Sequence, residues 1–212
     1  MKLLDPNGPV FRFLSRTGDL MLLNALCILC CLPFFTAGAS VTAMYYVTLR
    51  IYRRQDSGIV RDFFHSFRQN LKQGAILHIL FALGAILLTL DLYILWTLWE
   101  YDLVFRILLV IMAILTFWFV GVWLFAYPLL AQFNNTIQGF LKSALFMSLK
   151  HRSYTIAIVL VTLAPWVVGI YVPYVLEWLL IIYLFIGFSG IAFFLSRYFA
   201  TIFDQYIPAE EA

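Results

Sequence analysis

Residues 20–54 read LMLLNALCILCCLPFFTAGASVTAMYYVTLRIYRR. An apolar run leads to Pro33 and the small-residue segment Thr36-Ala37-Gly38-Ala39-Ser40. A second apolar run then ends at Arg50, Arg53 and Arg54. The reading is two short helical limbs, residues 20–35 and 37–49, meeting at a break built on Pro33, Thr36, Gly38 and Ser40. At 1.5 Å per residue the first limb is about 24 Å long, short of a hydrocarbon core of roughly 30 Å. The hairpin therefore either spans a locally thinned bilayer or re-enters it. Broken helices at membrane depth persist only against protein or a polar cavity, so the hairpin is expected to pack inside a bundle.

Working outward, the whole chain carries the same bias. Of 212 residues, 64% are hydrophobic and 12% charged, against about 45–50% and 25% in soluble domains. A soluble core cannot absorb that much apolar surface, so lipid is the solvent for most of it. The net charge of +3 is small, and the basic residues sit beside apolar runs. That placement follows the positive-inside pattern and argues against nucleic acid as a partner. Cys27, Cys30 and Cys31 all lie within the first run, where small, reduced, buried thiols are expected rather than a metal site. Arg12, Arg16 and an Ala37-Gly38-Ala39 tripeptide mimic a secretory signal; the segment is read as retained.

Further along, apolar runs at about 74–99, 105–131, 154–176 and 178–196 read as spanning helices. With the hairpin they make about six membrane segments in one all-α polytopic bundle covering residues 1–212. A tail with Lys2, Phe11, Arg12 and Phe13 is expected at the interface, and Asp56 or Ser57 is expected to cap the next helix. Two amphipathic connectors are expected at about 59–72 and 136–150. In the first, Val60, Phe63, Phe64, Phe67 and Leu71 recur at helical spacing among Arg61, His65, Arg68 and Lys72. Two roles suit that face: lying on the inner leaflet, or docking a partner through Phe63, Phe64 and Phe67 with Arg61 and Arg68 at the rim.

Charge counting sets the topology. With residues 20–49 as a hairpin, every Lys and Arg except Arg106 falls on the side that holds both termini, and Glu100, Asp102 and Glu177 fall opposite. The positive-inside rule then places both termini in the cytoplasm.

Few residues offer chemistry. Asp91 lies in an apolar run, and an acid at depth costs roughly 2.5–3.5 kcal/mol on insertion scales. A structural ion pair with Arg106 is the expected compensation; the alternatives are a substrate or proton site, or an outer-interface residue without special role. His78 reads as an interface histidine, and Asn24 as an interhelical hydrogen-bonding residue. No paired carboxylates at depth, nucleophile–base set, phosphate loop or metal-ligand spacing stands in the sequence, so neither an enzyme nor a cofactor is expected.

Leu32-Pro33-Phe34-Phe35-Thr36-Ala37-Gly38-Ala39-Ser40, with Thr42-Ala43-Met44-Tyr45-Tyr46-Val47, resembles the YesL-like family of bacterial membrane proteins. Asp62-Phe63-Phe64, Phe67 and Asn70-Leu71-Lys72-Gln73 resemble its second marked segment, while Phe34-Phe35 stands where a smaller aliphatic pair is usual. The family has no established activity. The resemblance implies a multi-pass protein of the bacterial plasma membrane, encoded near carbohydrate ABC-transporter components. The expected function is that of a non-enzymatic accessory or regulatory partner of the permease or ATPase subunits of a carbohydrate ABC importer. The competing expectation is a small secondary transporter or channel acting on its own as a homo-oligomer.

Overall fold

The computed structural model describes residues 9–55 and 57–206, with side chains from residue 14. The cap expected of Asp56, the tail side chains Lys2, Phe11, Arg12 and Phe13, and the last six residues lie outside the described residues. Among those described, the chain is all helix. Its elements are α1 (Pro9–Cys31), a 3-10 turn (Phe34–Thr36), α2 (Ala37–Tyr52), α3 (Ile59–Leu98), α4 (Leu103–Gln132), α5 (Ile137–Lys150), α6 (Arg152–Tyr171), α7 (Pro173–Ile182), a π turn (Tyr183–Gly187) and α8 (Phe188–Phe203). Five helical stretches are long and apolar enough to cross a membrane: those at the positions of α1, α3, α4 and α6, and the continuous stretch Pro173–Phe203. The protein is an all-α polytopic helix bundle.

The break in the first hairpin forms as its residues dictate. Pro33 follows the end of α1, and Thr36 closes the corner: its hydroxyl donates to the Cys30 and Pro33 carbonyls at 2.7 and 2.8 Å. One turn into α2, Ser40 donates to the Cys27 carbonyl at 2.9 Å. Carbonyls left over at a helix end are thus satisfied without water, which a bilayer demands. The first limb differs from expectation in length. It is the helix Pro9–Cys31, about 34 Å at 1.5 Å per residue. The residues before Leu20 join it because nothing between Phe11 and Asp19 breaks a helix.

α2 is the central element. Ala39, Ala43 and Val47 are fully buried, as are the hydroxyl residues Ser40, Thr42 and Thr48. Its small residues let α3 approach backbone to backbone. A Cβ added to Gly74 would lie 2.7 Å from the Ala39 nitrogen, and one added to Gly38 would collide with the Gly74 carbonyl. Arg50 with Asp62, Tyr46 with His65, and Gly38 with Gly74 set the two helices antiparallel. α4 returns against α3 through His78–Tyr127, Phe81–Trp123 and Gly84–Phe119.

The expected connector at 59–72 is not a separate helix. It is the first third of α3, a single helix of 40 residues. Gln73-Gly74 does not break it, because Gly74 is held in helix by the crossing with α2. At about 60 Å, α3 is twice the hydrocarbon thickness. Arg61, Asp62, His65, Arg68 and Lys72 all precede the stretch from Gln73 to Leu90, which holds no Lys, Arg, Asp or Glu. Two other boundaries shift. The turn expected at Glu177 falls at Val172, because Pro173 opens α7 at a first-turn position where no N–H is needed. On α5, Thr136 accepts from the Gly139 N–H as a cap, and Phe140, Ala144, Met147 and Ser148 face inward while Leu145 is exposed.

Replacing Gly74 by valine is expected to cost about 1–3 kcal/mol through overpacking, read as a lower melting temperature in detergent. Gly18→Ala meets open space and should leave it unchanged.

Candidate functional site

Three polar constellations stand out. The first joins the two ends of the chain. The π turn in α7–α8 leaves carbonyls imperfectly used, and Asn24 takes them: its amide nitrogen donates to the Tyr183 and Leu184 carbonyls, both at 2.9 Å. Its amide oxygen accepts from the Ser189 N–H at 3.1 Å, and Ser189 donates to the Leu20 carbonyl at 2.7 Å. Asn24 is fully buried; two of these hydrogen bonds reach the π turn and the third the first turn of α8. The numbering falls along one helix as it rises along the other, so α1 is antiparallel to α7–α8 and the Pro9 and Phe203 ends lie together. A further hydroxyl pair, Ser196 to Thr48 at 2.8 Å, ties α8 to α2.

The second constellation closes the basic end. Asp62 is buried, yet both its oxygens are used: it accepts from the Ser57 N–H at 3.1 Å and the Ser57 hydroxyl at 2.6 Å, with Arg50 at 3.4 Å. Gly58, at φ 129°, is the N-cap and supplies no side chain, so Asp62 reaches back to hold the loop instead. Arg50 also donates to the Gln55 carbonyl and to the Tyr46 hydroxyl. Arg53 links the ends of α4 and α8 by donating to Gln132 at 3.1 Å and Asp204 at 2.6 Å. A cavity of about 350 Å³ lies among Tyr46, Arg50, Arg53, Gln55 and Gln132. Nearby, burial and the adjoining Lys150 push the His151 imidazole below its usual range, and its Nε2 lies 3.3 Å from the Tyr206 hydroxyl.

The third is the outer face of the first third of α3. A groove of about 780 Å³ is lined by Val60, Arg61, Phe64, His65, Arg68 and Gln69. The expected docking face is divided by the fold. Phe63 is fully buried against α2 and stacks on half-buried Phe67, so only Phe64, Arg61 and Arg68 face outward. Periodicity marked one apolar stripe; what it could not show is that α2 covers half of it.

Asp91 and Arg106 are not brought together. Among the described residues Asp91 is exposed on α3 and makes no ion pair or hydrogen bond. Arg106 instead donates to the Trp99 carbonyl at 2.9 Å and lies over the Trp99 ring. A backbone carbonyl at the end of α3 was nearer than the carboxylate two turns back. His78 hydrogen-bonds Tyr127 at 2.9 Å, and Trp123 donates to the same hydroxyl at 2.8 Å. The Nε2 of His78 is buried without a partner. Cys27 is buried, and Cys30 and Cys31 are half-buried, all as free thiols. No group of three metal-ligating residues occurs among the described residues.

The arrangement defines a multi-pass helical membrane protein whose polar groups are concentrated at one end and at one internal clamp. Residues 20–92 match the profile of a family described as a protein of unknown function, DUF624. YesL-like proteins fall in that family, so the resemblance drawn from residues 32–47 and 62–73 is borne out over this stretch. The match spans most of α1, all of α2 and α3 as far as Leu92. No curated protein and no solved structure matches the chain.

Asn24→Leu leaves two carbonyls and an N–H without their partner and should lower stability by about 1–3 kcal/mol, measured by unfolding in mixed micelles. By the same measurement Phe63→Ala should cost about 3–5 kcal/mol. Asp91→Asn, with no partner to lose, should cost nothing measurable.

Proposed function

We propose that this chain is a non-enzymatic integral membrane protein acting as an accessory partner of a carbohydrate ABC importer. The observation that carries this reading is the filled centre of the bundle. α2 occupies it with fully buried Ala39, Ala43 and Val47, the latter two in one buried cluster with Phe63, Phe125 and Phe199. Three of the polar residues there join helices: Asn24 on the π turn, Ser40 on α1, Thr48 on Ser196. A transporter working alone needs such groups free to face a pathway. Asn24 is enclosed and Asp91 lies on the exterior, so neither supplies one. With these groups spent on packing, action through the surfaces, and so partnership, is the reading they support.

The antiparallel clamp supports an orientation. Both described ends of the chain share a side with the Arg50–Asp62 and Arg53–Asp204 pairs, and Lys and Arg concentrate there. The positive-inside rule makes that side cytoplasmic, in a bacterial plasma membrane. The carbohydrate part of the proposal rests on the genomic setting of the YesL-like proteins, which is association rather than geometry.

Purification of the tagged full chain from its native host in mild detergent, followed by mass spectrometry, tests the reading. Permease or ATPase subunits of a carbohydrate importer should accompany it stoichiometrically. Recovery alone, or as a homo-oligomer, would overturn the accessory reading and favour an independent transporter.

A further inference from the structure

We propose that the outward face of the first third of α3 binds the phosphate headgroups of anionic phospholipids in the leaflet through which that helix enters the bilayer. Arg61, His65, Arg68 and Lys72 follow one another at spacings of four, three and four residues, which stacks them in one stripe along a helix. All four are exposed. Among the described residues, Arg61, Arg68 and Lys72 make no hydrogen bond or ion pair, in contrast to Arg50 and Arg53, whose guanidiniums are spent on Asp62, Gln55, Gln132 and Asp204. The acid in the same segment, Asp62, is turned inward onto Ser57 and is buried. It therefore does not compensate the stripe.

The occupant follows from what surrounds the charges. Val60, Phe64 and Leu71 are exposed between them, at 45, 36 and 38%. Interleaved cationic and apolar side chains suit the boundary between headgroups and acyl chains, where both find their solvent. The groove between Arg61 and Arg68 is open and about 780 Å³, wide enough to seat a headgroup between the two forks, and guanidinium matches phosphate in geometry. α3 then runs unbroken into its apolar span. The stripe is thereby tethered beside a leaflet and meets lipid phosphate before any soluble anion or protein.

The test uses the purified full chain in mild detergent, incubated with equal amounts of phosphatidylglycerol and phosphatidylcholine, with retained lipid read by native mass spectrometry. The wild type should enrich phosphatidylglycerol. The R61Q/R68Q/K72Q variant should lose that enrichment, by about fivefold per charge removed, since each cation near an anionic surface is worth about 1 kcal/mol. R61K/R68K should keep most of it, and K142Q/K150Q, on α5, should keep all. As a check independent of mutation, raising salt from about 0.1 M to about 1 M shortens the screening length from about 10 Å to about 3 Å and should strip phosphatidylglycerol from the wild type. Equal retention of the two lipids by the wild type, or full enrichment in a triple variant that melts normally, overturns the proposal. Displacement of the lipid by millimolar inorganic phosphate would assign the stripe to a soluble anion. Loss of a copurifying acidic protein from the triple variant, with lipid retention unchanged, would assign it to a protein partner.

Discussion

The fold depends on one contact, the backbone crossing of α2 and α3 at Gly38 and Gly74. A side chain at either position would occupy space already held by the other helix's main chain. In a bilayer, no hydrophobic gain separates helix against helix from helix against lipid, so association rests on close packing and on hydrogen bonds. Small residues at this crossing admit the approach. Everything that fixes α2 in the centre follows from it: the Arg50–Asp62 contact at one end of the pair, the Phe34–His78 ring contact at 4.9 Å at the other, and the burial of Phe63 between them.

The second constraint is polar. A membrane bundle has to satisfy its backbone internally, and among the described residues regular helix gives way at, among other places, the 3-10 corner and the π turn. Each is supplied from elsewhere in the chain. Thr36 and Ser40 complete the corner from the far side of the turn, whereas Asn24 reaches the π turn from more than 150 residues away in sequence. Thr36, Ser40 and Asn24 are therefore read as structural, and the exposed cations of α3 as groups left over for interaction. That division separates the candidate surface from the scaffold.

The sequence marked the hairpin break and the spanning runs because each depends on neighbours a few residues away. Pro33, Thr36 and Ser40 act within one or two turns, and an uncharged run is legible without a partner. It erred where a decision belonged to a distant element. Gln73-Gly74 looked like the end of a surface helix, but the packing of α2 on Gly74 keeps α3 straight through it. Phe63 and Phe64 are adjacent and chemically identical, and only the position of α2 makes one core and the other surface. Asp91 and Arg106 sit on neighbouring helices, but Arg106 donates to the Trp99 carbonyl instead.

By itself, then, the sequence determined that this protein lives in a bilayer, as a bundle of helices with its cations gathered at one end. Composition and run length settle that, since transfer of apolar segments to lipid is a sum over residues and needs no knowledge of neighbours. The tertiary structure alone decided which polar residues are spent and which remain. Asn24 had no readable target until the π turn was placed beside it, and the stripe from Arg61 to Lys72 was no freer in sequence than Arg50 and Arg53. Whether a charge is free is a property of what is packed against it, and packing in this chain joins residues that sequence spacing keeps far apart.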